Sequence, residues 1–139
     1  MRRIWGAMAA ASALLGGCAS VDMPEQPACP VGQEPMRMAQ MFFGRNIGDQ
    51  PGVTDEAFAK FVDEELTPRF PDGLTILEGG GQWRGSENKL IREAAKIVLI
   101  VLPSRGDVSA KVEAARSAYK TKFKQDSVLL LTQETCVSF

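Results

Sequence analysis

Between Met36 and Cys136 the rhythm of apolar and polar positions changes repeatedly, and each change marks an element. Met36-Arg37-Met38-Ala39-Gln40-Met41-Phe42-Phe43-Gly44-Arg45 lies between Pro35 and the turn-rich Asn46-Ile47-Gly48-Asp49-Gln50-Pro51-Gly52, and reads as a first strand. Helical spacing follows, with Phe58, Phe61, Val62 and Leu66 on one stripe. Thr54 is placed to cap that helix, Asp55 and Glu56 suit its positive end, and Pro68 stops it. After the turn Phe70-Pro71-Asp72-Gly73, a second strand runs from Leu74 to Glu78 and on through Gly79-Gly80-Gly81 to Arg84. Three glycines inside a strand point to a bulge or a close backbone approach. Leu90 to Leu102 reads as a third strand, and its aliphatic half, Ile97-Val98-Leu99-Ile100-Val101-Leu102, suits a central position covered on both faces. Pro103-Ser104-Arg105-Gly106 breaks it. Val112, Ala115, Tyr119 and Phe123 mark a second helix, and Ser127 to Cys136 a last strand.

The order β-α-β-β-α-β predicts an α+β, ferredoxin-like domain: a four-stranded antiparallel sheet with two helices on one face. In that arrangement the first and last strands lie side by side, antiparallel. The other sheet face then needs a cover, because neither set of alternating positions on the first strand is polar enough for water. A second copy of the chain is one cover, making a homodimer through the sheet face; loops or the proline-rich segment are another.

The chain ahead of Met36 has a different character. Arg2 and Arg3 precede an apolar run from Ile4 to Leu15, far shorter than the roughly 20 residues that span a bilayer. A basic start, a short apolar middle and small residues at the exit make a signal peptide over 1–17. Leu15-Gly16-Gly17-Cys18 resembles a bacterial lipobox, so Cys18 is the expected lipidation site and the membrane an expected partner. Ala19 in place of an aspartate favours the outer membrane, with the domain in the periplasm. Residues 18–35, interrupted by Pro24, Pro27, Pro30 and Pro35, form a tether, and 36–139 a single domain.

Composition narrows the chemistry. Removing the signal peptide from 139 residues leaves 122, enough for one core. A formal net charge of −1 argues against a nucleic-acid partner. The absence of histidine excludes Ser-His-Asp and Cys-His catalysis and any histidine-based zinc site, so no metal or cofactor is expected. Of the three cysteines, Cys18 is assigned to lipid, leaving Cys29 and Cys136. An exported chain favours a disulfide between them, against two free thiols. The topology agrees, since Cys29 lies just ahead of the first strand and Cys136 ends the last.

Phe43-Gly44-Arg45, Thr67-Pro68-Arg69-Phe70-Pro71-Asp72-Gly73-Leu74-Thr75, Gly81-Gln82-Trp83-Arg84, Ile91-Arg92-Glu93 and Tyr119 to Leu129 occur in an order that resembles a family of small bacterial exported lipoproteins, domain of unknown function 3574. The resemblance spans roughly Met36 to Cys136, supports one fold unit and implies no reaction. The chain departs from the family pattern at Lys124, where a glycine is commoner.

Arg45, Gln82, Trp83, Arg84, Arg92 and Glu93 form the best candidate ligand cluster, since an indole beside guanidinium groups can hold an anionic or planar molecule. The competing structural reading packs Trp83 on the hairpin and pairs Glu93 with an arginine across strands. Glu78 and Glu134 could act as paired carboxylates only if the sheet joins them. The favoured function is a lipid-anchored envelope protein binding a partner or small ligand. Its rivals are a cofactor-free enzyme at the same face, with Arg45 and Glu93 as polar actors, and a structural envelope lipoprotein.

Overall fold

The computed structural model describes residues 28–48, 50–85, 87–103, 106 and 108–139. The expected signal peptide and the lipidation site Cys18 lie outside them. Four strands, β1 (Glu34–Gly44), β4 (Thr75–Arg84), β5 (Leu90–Pro103) and β6 (Leu129–Val137), form one antiparallel sheet in the spatial order β4-β5-β1-β6. Helices α1 (Asp55–Phe61) and α2 (Val108–Phe123) complete an α+β domain.

The element order differs from the plain β-α-β-β-α-β expectation. A two-stranded hairpin, β2 (Asn46–Ile47) with β3 (Gln50–Pro51), is inserted ahead of α1. Its cause is local: the Arg45 carbonyl accepts the N–H groups of both Gly52 and Val53 at 2.9 Å, folding the turn-rich segment back on itself. The first helix also changes pitch. Thr54 caps it as expected, its side chain accepting the Ala57 N–H at 3.1 Å. Beyond Phe61 the turns widen to a π-helical run, Val62–Leu66, and the Thr67 N–H reaches back to the Val62 carbonyl at 2.8 Å. Pro68 has no N–H with which to continue the ladder.

The core lies on one side of the sheet. Ala39, Met41 and Phe43 from β1 and Val98, Ile100 and Leu102 from β5 are buried with Phe58, Phe61, Val62 and Leu66 before the Pro68 stop and Val112, Ala115, Tyr119 and Phe123 of α2. Tyr119 is its hub, with ring centroids 4.7 Å from Phe43, 5.0 Å from Phe61 and 4.7 Å from Phe123. The hydroxyl is satisfied by donating to the Gly44 carbonyl at 2.8 Å, and burial pushes its pKa up. The aliphatic run of β5 is central, but only one of its faces is buried; Ile97, Leu99 and Val101 on the other are partly exposed.

The disulfide Cys29–Cys136 is formed, with a Cα–Cα distance of 5.6 Å across a sequence separation of 107. Pro35 opposes Cys136 in the β1–β6 register, so the ladder starts two residues ahead of the expected Met36. The chain from Cys29 to Gln33 therefore turns beside the end of β6, helped by the Gln33 N–H bonding to the Pro30 carbonyl at 3.1 Å.

Candidate functional site

The strands place a row of small residues across the uncovered face. Gly44 of β1 opposes Ala95 of β5, which opposes Gly79 of β4. Gly44 and Ala95, with Gly80 and Gly81 of β4, line a trough of about 480 Å³. The next row along the strands is Leu77, Ile97, Phe42 and Leu129, and the last three line the trough as an apolar wall. The opposite border is Gly81 with Glu93, then Trp83 with Ile91. Asn46 and Gly48 of the hairpin, and Lys124 to Ser127 after α2, close one end.

The three consecutive glycines of β4 keep regular pairing with Ala95, Ala94 and Glu93, so they form no bulge. No other backbone approaches them closely either; what lies against Gly79 is a side chain, a Cβ there being 2.8 Å from Ile97 Cδ1.

Two carboxylates line the trough, Glu93 and Asp126, and Glu93 is the one held by the sheet. Its Oε1 accepts the Asn46 N–H at 2.6 Å. The carboxylate rests on the backbone of Gly44, where a Cβ would lie 2.6 Å from Oε1 and 2.9 Å from Oε2. The Asn46 side chain donates to the Arg92 carbonyl at 3.4 Å, and the Gln125 amide donates to the Asn46 carbonyl, tying the hairpin to the end of α2. The trough thus pairs one held carboxylate with two aromatic surfaces, Phe42 and Trp83.

The six residues expected to cluster divide between locations. Trp83, 46% exposed, and Glu93 line the trough together. Arg45 turns instead to the start of α1, its Nε donating to the Val53 carbonyl at 2.8 Å and its Nη1 lying 3.0 Å from Asp55 Oδ1. Gln82 and Arg92 oppose each other in register, and the pleat sends both, with Arg84, to the face away from Trp83. Arg84 donates to Asn88 Oδ1 at 2.9 Å within the hairpin. Glu78 and Glu134 lie on the two outer strands, apart: Glu78 bonds Lys96, and Glu134 accepts from Arg37 at 3.2 Å. Phe42, Asn46, Lys124, Gln125 and Asp126 were not picked out from sequence as site residues. The glycines of β4 and Gly44 were the available signal, but their meaning depends on register.

A second polar cluster lies on the helix face. Lys96 donates to Asp55 Oδ1 at 2.7 Å and to Glu78, and its ammonium lies 5.9 Å from the centroid of the Phe58 ring. The hydrogen bond from Lys96 holds the Asp55 carboxyl below its ordinary pKa, with Arg45 contributing. The bonds to Asp55 and then Glu78 hold Lys96 above its own. This is a satisfied charge network, and Lys96 is held charged rather than poised as a base. Among the described residues no group of three or more His, Cys, Asp or Glu could hold a metal ion.

Fold and site together define an α+β sheet protein with one face covered by helices and a ligand-sized trough on the other. Residues 38–139 match the family described as a protein of unknown function (DUF3574), and the chain belongs to that family. No curated protein matches it. Among solved structures, a phage SAM lyase in its apo state is 22% identical with a TM-score of 0.57, covering 83% of this chain and 97% of its own. The phage SAM lyase in complex with S-methyl-5′-thioadenosine is 20% identical with a TM-score of 0.58, covering 84% and 96%. CutA from Synechococcus elongatus PCC7942, complexed with Bis-Tris, is 10% identical with a TM-score of 0.48, covering 75% and 84%. At these identities the likeness to the lyase is one of fold.

Proposed function

We propose that this chain is a binding module of the bacterial cell envelope that holds a small planar molecule in the trough. The observation that carries this reading is the small-residue lining of Gly44, Ala95, Gly80 and Gly81, with Phe42 on one border and Trp83 and Glu93 on the other. A flat floor with aromatic neighbours suits a ring system, and one fixed carboxylate can orient its polar edge. We read the four strands and two helices as a ferredoxin-like arrangement with an added hairpin. The disulfide supports an oxidising compartment. With the lipobox-like Leu15-Gly16-Gly17-Cys18, it supports a periplasmic domain anchored to the outer membrane through Cys18.

The likeness of fold to the phage SAM lyase favours one ligand probe and one rival reading. S-methyl-5′-thioadenosine, bound in one of those lyase structures, is planar at its base and of a size for the trough. Calorimetric titration of the full chain with this compound should show saturable binding. Gly81→Val fills the trough where nothing lies within 4 Å of an added Cβ, so it should abolish binding while the fold is kept. Absence of binding at millimolar probe, or binding untouched by Gly81→Val, would overturn the reading. In the rival reading the trough is an active site. Incubation with SAM and mass spectrometry for released S-methyl-5′-thioadenosine tests it, with Glu93→Gln expected to remove any turnover. Anchoring is tested separately: Cys18→Ser should move the protein from the membrane to the soluble fraction, and continued membrane association would refute it.

A further inference from the structure

We propose that a second copy of this chain covers the open face of the sheet and closes the trough. Self-association stands on the face itself; only the closure of a ligand site rests on the function proposed above. From Met36 to Gly44, the residues of β1 on this side, and those opposite them on β4, β5 and β6, include no charge. They are chiefly aliphatic and aromatic, Met38, Phe42, Leu77, Leu99, Leu129 and Leu131 among them, with Gln40, Thr75, Gln133 and Thr135 as uncharged polar positions. Leu77, Leu129 and Leu131 are 45%, 56% and 48% exposed, while the opposite side of the central strands β1 and β5 is buried under the helices.

The size of the face matches a dimer contact. Four strands about 4.8 Å apart and nine residues rising about 3.3 Å each span about 600 Å². Two such faces bury about 1,200 Å², where specific interfaces begin, and one alone is at the upper end of what monomers leave in water. An uncharged face gives an acidic or basic partner nothing to pair with. An identical face is equally apolar, and two-fold symmetry makes it self-complementary. Sheets packed face to face lie about 10 Å apart with interdigitated side chains. Gly44, Ala95 and Gly81 have no long side chain of their own to fill that gap, so the trough is left there as a cavity, with Glu93 in it.

Sedimentation velocity of the full chain carrying Cys18→Ser, from about 1 to 100 µM, tests this. The expected species has at least twice the single-chain mass. Leu131→Glu puts a carboxylate into the face once per copy and should weaken association about 100-fold or more. Lys111→Glu, on the exposed side of α2, should leave association unchanged. Leu77→Glu is the second variant, read if Leu131→Glu loses its circular-dichroism signature. A monomer throughout the range, or an assembly that survives a folded variant of either leucine, would overturn the proposal. Assembly with no binding of S-methyl-5′-thioadenosine would overturn only the ligand reading.

Discussion

Lys124 has φ 53°, a left-handed conformation one residue past α2. There the Gln125 N–H bonds to the Lys120 carbonyl at 3.0 Å, the closing bond of a helix stop that glycine makes without strain. The glycine expected here from the family pattern therefore has a backbone reason. Lys124→Gly should stabilise the fold by about 1 kcal/mol, read as a higher melting temperature; an unchanged or lower one would refute the strain. Gly44 is constrained differently. Any Cβ there collides with the Glu93 carboxylate, the mobile end of a side chain. Gly44→Ala should thus cost little stability but displace Glu93 from the Asn46 N–H. Ligand affinity should fall more than the melting temperature does, and the reverse order would argue that Glu93 has no part in binding.

The start of α1 is joined to the sheet by charge as well as by Phe58 and Phe61. Asp55 has its pKa lowered in the fold, so its stabilisation is complete above the unfolded carboxylate range. It is lost as pH falls through the folded value, below about pH 4. Lys96 has its pKa raised, so its contribution is complete below the ordinary lysine range. That contribution is lost as pH rises through the folded value, above about pH 10.5. Urea midpoints plotted against pH should therefore fall at both ends. Lys96→Met should flatten both limbs, and limbs as steep as in the parent would exclude the network as their cause. The strand β4 also owes its role to one local property. Its glycines keep the ladder but remove side chains, giving a sheet edge that is regular in backbone and hollow in surface.

Across the molecule, the disulfide joins the segment before β1 to the end of β6, closing nearly the whole domain into one loop. In the chain-entropy account a loop of this length is worth about 4 kcal/mol, mainly by restricting the unfolded chain. Cys29→Ser should lower unfolding free energy by about that amount, measured by urea denaturation; a loss below about 1 kcal/mol would show that the sheet ladder alone holds this end. The bridge also shortens any tether from Cys18. Its free length ends at Cys29 rather than at β1, and eleven residues reach at most about 40 Å.

Much of this architecture follows from neighbours in sequence. The caps at Thr54 and Pro68, the helical stripes, and the pairing of Cys29 with Cys136 are legible because period, proline and cysteine act locally or through simple topology. The hairpin at Asn46 to Pro51 was less so, because it depends on one carbonyl, that of Arg45, accepting two N–H groups. The candidate site was read least well. Arg45, Gln82, Arg84 and Arg92 have suitable chemistry, yet a strand sends alternate residues to opposite faces, and a shift of one position would exchange them. Only the packed sheet aligns Gly44, Ala95 and Gly79, which lie far apart along the chain, because register is set jointly by every strand that shares the core.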